Sequence, residues 1–178
     1  MKRMTKLLAV LAVGAVATAG VVGLAACGEK GISGSAKGEY SYESHSRTYG
    51  IKVEVTVENG KITKVERLKH DWTEATDLVM GDWDGGANYN KEINNELKKF
   101  EGLSVDDVLD LEVAVTEEGA PETQKTGSGE DAVANPNFKP LVIGDTNLVL
   151  AGSTQSSGRL VLAVQDALEN LQAEQEAE

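Results

Sequence analysis

Ile51-Lys52-Val53-Glu54-Val55-Thr56-Val57-Glu58-Asn59-Gly60-Lys61-Ile62-Thr63-Lys64-Val65-Glu66-Arg67-Leu68 carries two apolar-polar alternations around an Asn-Gly pair. Period-two alternation is the signature of a strand with one buried face, and Asn-Gly suits the two positive φ angles of a type I′ turn. The stretch therefore predicts an antiparallel β-hairpin over 51–68. Counting out from the turn sets Val57 opposite Ile62 and Val55 opposite Lys64, which drops Val65 onto the wrong face. Either a bulge or a strand buried on both faces would restore the parity.

Upstream, Tyr40 and Tyr42 open a further short strand. Downstream, 70–90 is dense in Asp, Gly, Trp and Tyr and reads as a loop, and Ile93, Leu97 and Phe100 then recur at helical spacing over 91–100 with Gly102 past the end. Ser104 with Asp107 three residues later marks a helix start before 105–109. Leu111, Val113 and Val115 alternate as a strand would, whereas the polar 117–140 stretch holds all three prolines and reads as a surface excursion or a partly disordered one. Short apolar runs at 141–143 and 148–150 suggest buried strands. A helix over 157–171 would set Leu160, Val164, Ala167, Leu168 and Leu171 along one face, leaving 173–178 to fray. The expectation is an α+β domain over 38–172: a twisted antiparallel sheet packed by a few helices.

The N-terminus bears on compartment. Lys2, Arg3 and Lys6 precede an uncharged run from Leu7 to Ala26, and Leu24-Ala25-Ala26-Cys27 closes it with the only cysteine of the chain. This is the layout of a secretory signal over 1–26, and it resembles a bacterial lipoprotein signal. That resemblance implies cleavage before Cys27, lipidation of its thiol and a flexible tether over 27–37 on the outer face of a membrane. Anchoring then comes from acyl chains at about 0.8 kcal/mol per CH₂. An uncleaved transmembrane helix is the plainer alternative and leaves the junctional cysteine without a role. Both place the remaining residues outside the cytoplasm.

Net charge is −12 at pH 7, so the basic footprint of a nucleic-acid binder is missing. With Cys27 acylated, no thiol is left for disulfides, thiolate metal sites or a cysteine nucleophile. Two Phe, two Trp and four Tyr leave the core to Val, Leu and Ile.

Ala151-Gly152-Ser153-Thr154-Gln155-Ser156-Ser157-Gly158 joins an apolar run to the terminal helix. Hydroxyl-rich, glycine-containing turns at helix N-termini make phosphate sites, although Ser and Thr in this place commonly do no more than cap the helix. Together with Gly38-Glu39-Tyr40-Ser41, Tyr49 to Val57, Asn59 to Val65, Leu103 to Val108 and Ala163 to Leu168, this string resembles the small FMN-binding domain family. That domain recurs in flavin subunits of the sodium-pumping quinone reductase and Rnf complexes and in lipoproteins of extracellular electron transfer.

The resemblance implies FMN as cofactor, attached by a flavin transferase as a phosphoester to Thr154. It also implies that Gly152 lets the backbone approach the phosphate and that Ser156 or Ser157 caps the helix and bonds it. The protein would then be an electron carrier without turnover of its own, passing electrons to redox partner proteins or a quinone-linked membrane complex. Three positions depart from the family string: Leu148 stands in place of Asp, Ala151 in place of Ser or Thr, and Ser153, a rival hydroxyl, in place of Ala. On those departures rests the alternative of a surface lipoprotein that uses the scaffold as a non-flavin binding module.

The remaining candidates read more plainly as structure. Trp72, Trp83 and Tyr89 offer ring faces for an isoalloxazine but suit packing of their loop. Asp82-Trp83-Asp84-Gly85-Gly86 fails the calcium-loop spacing, with Gly86 at an oxygen-ligand position and Ile93 where the bidentate Glu belongs. His45 and His70 have no partner at ligand spacing. Glu112, Glu117, Glu118, Glu122, Glu130 and Asp131 read as a solvated face.

Overall fold

A computed structural model describes residues 31–44, 47–68, 95–127, 129–149 and 154–177, with the backbone alone at 44, 47, 129 and 154–156. Three strands, β1 (Gly34–Ser44), β2 (Arg47–Glu58) and β3 (Lys61–Leu68), form an antiparallel sheet in the order β1-β2-β3. Asn59 and Gly60 take φ of 51° and 72°, the pair of positive angles expected of their turn. The register runs Val57↔Ile62, then slips so that Thr56 pairs with Lys64 and Val55 with Val65. Thr63 is the extra residue of a β-bulge, and it returns Val65 to the valine face. Its hydroxyl donates to the Thr56 carbonyl at 3.2 Å.

The expected α+β class is what the chain adopts. Across the valine face lies the long helix labelled α2 here (Thr154–Glu176), after the short α1 (Val105–Leu109). Leu160, Val161, Val164, Leu168 and Leu171 meet Val53, Val55, Val57 and Ile62 in one core that also takes Leu97, Phe100 and Val108. Strand and helix come closest at Gly38, where a Cβ would collide with the backbone nitrogen of Ala167 and the carbonyl of Ala163.

Helix α2 also closes the open edge of β1. Asp166 accepts from the Glu39 N–H at 2.8 Å, Asn170 donates to the Lys37 carbonyl at 3.0 Å, and Gln175 donates to the Ser33 carbonyl at 2.6 Å. Capping an edge this way removes a template for pairing with another chain.

Several expectations are corrected. The tether assigned to 27–37 ends sooner, because Gly34–Lys37 pair with Glu54–Val57 and Ala36 is buried. Helix α2 starts at Thr154 rather than Ser157 and runs to Glu176 rather than stopping near 171. Ala, Gln and Glu are strong helix formers, and the Gln175 bond holds the last turn in place of the expected fraying.

Ser104 does precede α1 but makes no side-chain cap; the Gly60 carbonyl of the hairpin turn receives the Val105 N–H instead, at 3.0 Å. Of the helix expected over 91–100, the described part winds as a helical turn over 95–97 and a 3₁₀ turn, Lys98–Phe100.

No strand forms over 111–115. The chain doubles back there with one bridge, Val115↔Pro121, a non-hydrogen-bonded pair flanked by the Thr116 N–H to Ala120 carbonyl and Glu122 N–H to Ala114 carbonyl bonds, both 2.8 Å. The Ala120 N–H goes to the Thr116 hydroxyl instead of a ladder carbonyl, and Val115 is 44% exposed. The 117–140 excursion is largely ordered, through β4 (Lys125–Thr126) and β5 (Val133–Ala134). Buried Asn135 holds it by donating to Glu122 at 2.7 Å and to the Thr123 carbonyl at 2.9 Å.

The two late apolar runs flank a ladder more than they form one. β6 (Val142–Ile143) pairs with β7 (Thr146–Asn147), so the second strand precedes 148–150, while buried Leu148 bonds back to Leu141. Among the described residues no helix is long and apolar enough to cross a membrane. The signal segment and the 70–90 loop lie outside them.

Candidate functional site

Of the residues singled out for a phosphate, Thr154 opens α2, with Ser156 and Ser157 in the same first turn. Positions 154 and 157 share one side of a helix, and the first four N–H groups of any helix lack intrahelical acceptors. The expected acceptor residue therefore lies in the first turn of α2, where backbone N–H groups lack intrahelical acceptors. Ser157 is fully buried, as is most of Arg159 one residue beyond Gly158. Gly152, Ser153 and Cys27 lie outside the described residues, as do Trp72, Trp83, Tyr89, His45, His70 and the 82–86 string.

The 113–121 loop braces this turn. A Cβ on Gly158 would stand 2.5 Å from Pro121 Cβ and 3.4 Å from a Val113 methyl carbon, so the absent side chain lets the loop sit against the helix. From the other end of the loop, the Gly119 carbonyl accepts from the Tyr40 hydroxyl at 2.6 Å. Burial raises the Tyr40 pKa above its ordinary value, which keeps the phenol protonated and donating.

Tyr40, Tyr42 and Tyr49 share the core face at this end of the sheet, and the Tyr42 and Tyr49 rings stack across strands at 5.4 Å and 10°. Composition and spacing did not reveal this grouping. The i, i+2 spacing of Tyr40 and Tyr42 was the one available signal, and the pairing with Tyr49 depends on the register.

On the side leading into the turn, Lys99 Nζ donates to the Asn147 carbonyl at 3.0 Å and pairs with Glu96 Oε1 at 2.6 Å. Glu96 is buried, 8% exposed, and its Oε2 has no hydrogen-bond partner among the described residues. Leu148, at the position expected for an aspartate, is part of the core.

Glu112, Glu117, Glu118, Glu130 and Asp131 are exposed as expected, whereas Glu122 turns inward to bond Asn135. No group of acidic, His or Cys side chains among the described residues is placed to hold a metal ion. No family model, curated protein or solved structure matches the chain.

Proposed function

We propose that this chain is a membrane-anchored, extracytoplasmic FMN protein that carries electrons, with the flavin attached by a phosphoester to Thr154 and the lipid anchor at Cys27. The supporting observation is that a 23-residue helix begins at Thr154 itself. The sequence suits a phosphate ester: hydroxyl-bearing residues occupy 154, 156 and 157 in the first turn of a helix, whose N-terminal partial positive charge favours an anion. The bound flavin supplies the redox chemistry. The chain's own work is to offer the Thr154 hydroxyl to a flavin transferase, neutralise phosphate charge at the first turn and keep the carrier on its scaffold. Outside a cell a dissociable cofactor would be lost to dilution, and covalent attachment fixes its effective concentration.

A second reading is favoured by Leu148, whose burial leaves no acidic group at the position that the resemblance assigns to the transferase motif. In that reading the scaffold is a surface lipoprotein that binds something other than a flavin. Co-expression of the full chain with a flavin transferase separates the two. Flavin absorbance that survives denaturation in the parent and disappears in Thr154→Ala is the expected result. A parent that stays colourless, or a mutant that keeps its full covalent load, would sink the FMN assignment.

A further inference from the structure

The tyrosine stack lies at the level of the first turn of α2, as two independent routes through the fold show. Along β1 the contacts with α2 descend in register: Ser33 meets Gln175, Lys37 meets Asn170, and Gly38 meets Ala163 and Ala167. From Gly38 to Tyr42 a strand advances about 13 Å, and a helix covers that distance in about nine residues. Counting back from the Ala163–Ala167 contact brings Tyr42 abreast of the helix start. The second route runs through the loop: Pro121 abuts Gly158, while Gly119, two residues away in sequence, bonds Tyr40 and would bring a Cβ to 3.7 Å from Tyr42 Cβ.

Within the pair the two rings differ. Tyr42 is buried, so the stack is closed on that side, whereas Tyr49 on the neighbouring strand keeps part of its surface exposed. Of the two rings, Tyr49 is therefore the one with surface left on which a further planar ring can stack. Offset parallel stacking is a favoured geometry for aromatic pairs, and a ring whose back is already stacked pays little side-chain entropy on receiving a third.

We infer that Tyr49, backed by Tyr42, is the face on which the isoalloxazine ring of the cofactor stacks; the inference rests on the proposed attachment of FMN at Thr154. The phosphate end is held at the helix turn and the ribityl chain leads to the aromatic end of the same sheet face. Tyr49 then limits the ring's motion and excludes water from one of its sides, while Tyr42 holds Tyr49 in place.

The test uses the full chain co-expressed with a flavin transferase, as parent, Tyr49→Leu and Tyr49→Phe. Intact mass reads covalent load, visible circular dichroism reads how firmly the flavin ring is held, and flavin fluorescence lifetime reads contact with tyrosine. Such contact quenches because the phenol lends an electron to the excited ring and recovers it on recombination. The expected result is an unchanged load throughout, a parent lifetime well below that of free FMN, visible dichroism kept in Tyr49→Phe and largely lost in Tyr49→Leu, and a several-fold longer lifetime in Tyr49→Leu. A loaded Tyr49→Leu with the parent's dichroism and lifetime would overturn the stacking role, even if its melting temperature falls. A loaded parent with the lifetime of free FMN overturns it without recourse to any variant. A parent without covalent flavin overturns the attachment at Thr154 and this inference with it.

Discussion

At the residue scale, single side chains settle how closely elements approach. Gly38 is the clearest case, since β1 crosses α2 where a Cβ would run into two helix backbone atoms, which cannot rotate away. Gly38→Ala should cost about 3 kcal/mol, at the upper end of ordinary overpacking, measured by denaturant unfolding; a change within experimental error would mean that strand and helix are not in contact there. Lys99 offers a second test. It holds the Asn147 carbonyl and the buried Glu96 carboxylate together, so Lys99→Met should destabilise by about 1–3 kcal/mol through the charge left unpaired.

Asp166 makes a pH prediction. Burial raises its pKa above the ordinary carboxylate value, the Glu39 N–H bond partly lowers it, and the Glu39 charge adds to the rise, with Lys52 pairing Glu39 at 2.9 Å. A folded pKa above the unfolded one means that this group's contribution to stability is full below the ordinary value and is lost as pH rises through the folded value. Asp166→Asn keeps an oxygen for the Glu39 N–H, so it should match or exceed the parent's stability at pH 7, with its advantage fading in acid. A neutral-pH loss that grows on titration upward would contradict that sign.

At the element scale, the bulge explains how a hairpin with broken parity still buries all its valines. Without Thr63 the sequence would pair regularly from the turn, with Val55 still opposite Val65. Deleting Thr63 should therefore leave a folded protein less stable by about 1 kcal/mol or less, and a molten product on thermal unfolding would show that the bend itself is needed.

The hairpin, the short α1 and the apolar face of α2 were legible because local pattern and tertiary burial agree in them. The expected strand at 111–115 failed for a reason that alternation cannot carry: the chain turns back on itself at 116–120, where the Ala120 N–H bonds the Thr116 hydroxyl instead of a ladder carbonyl and only one bridge forms. The early start of β1 was hidden by small residues, since Gly34, Ser35 and Ala36 read as linker until a strand is paired with them. The same holds for the site. Thr154 could be picked out as a hydroxyl in a glycine-containing turn, but its place at the head of α2 needed the fold, and so did the Tyr42–Tyr49 stack, which follows from strand register.

For the whole molecule, three strands bury one face under one long helix, and side chains of that helix close the edge of β1. The chain carries a net charge of −12, so like charges press outward on a small domain. Moving from about 0.01 M to about 0.15 M salt shortens the screening length from about 30 Å to about 8 Å and should raise the melting temperature by a few degrees. A fall would point to ion pairs, such as Lys64–Glu66, outweighing the repulsion.

The most direct test of the proposed function is peptide mapping by mass spectrometry of the full chain after co-expression with a flavin transferase. A peptide heavier by one FMN less water, with fragmentation placing the added mass on Thr154, is the predicted result. An unmodified peptide, or the flavin found on Ser153, would contradict the assignment of the first residue of α2 as the attachment point.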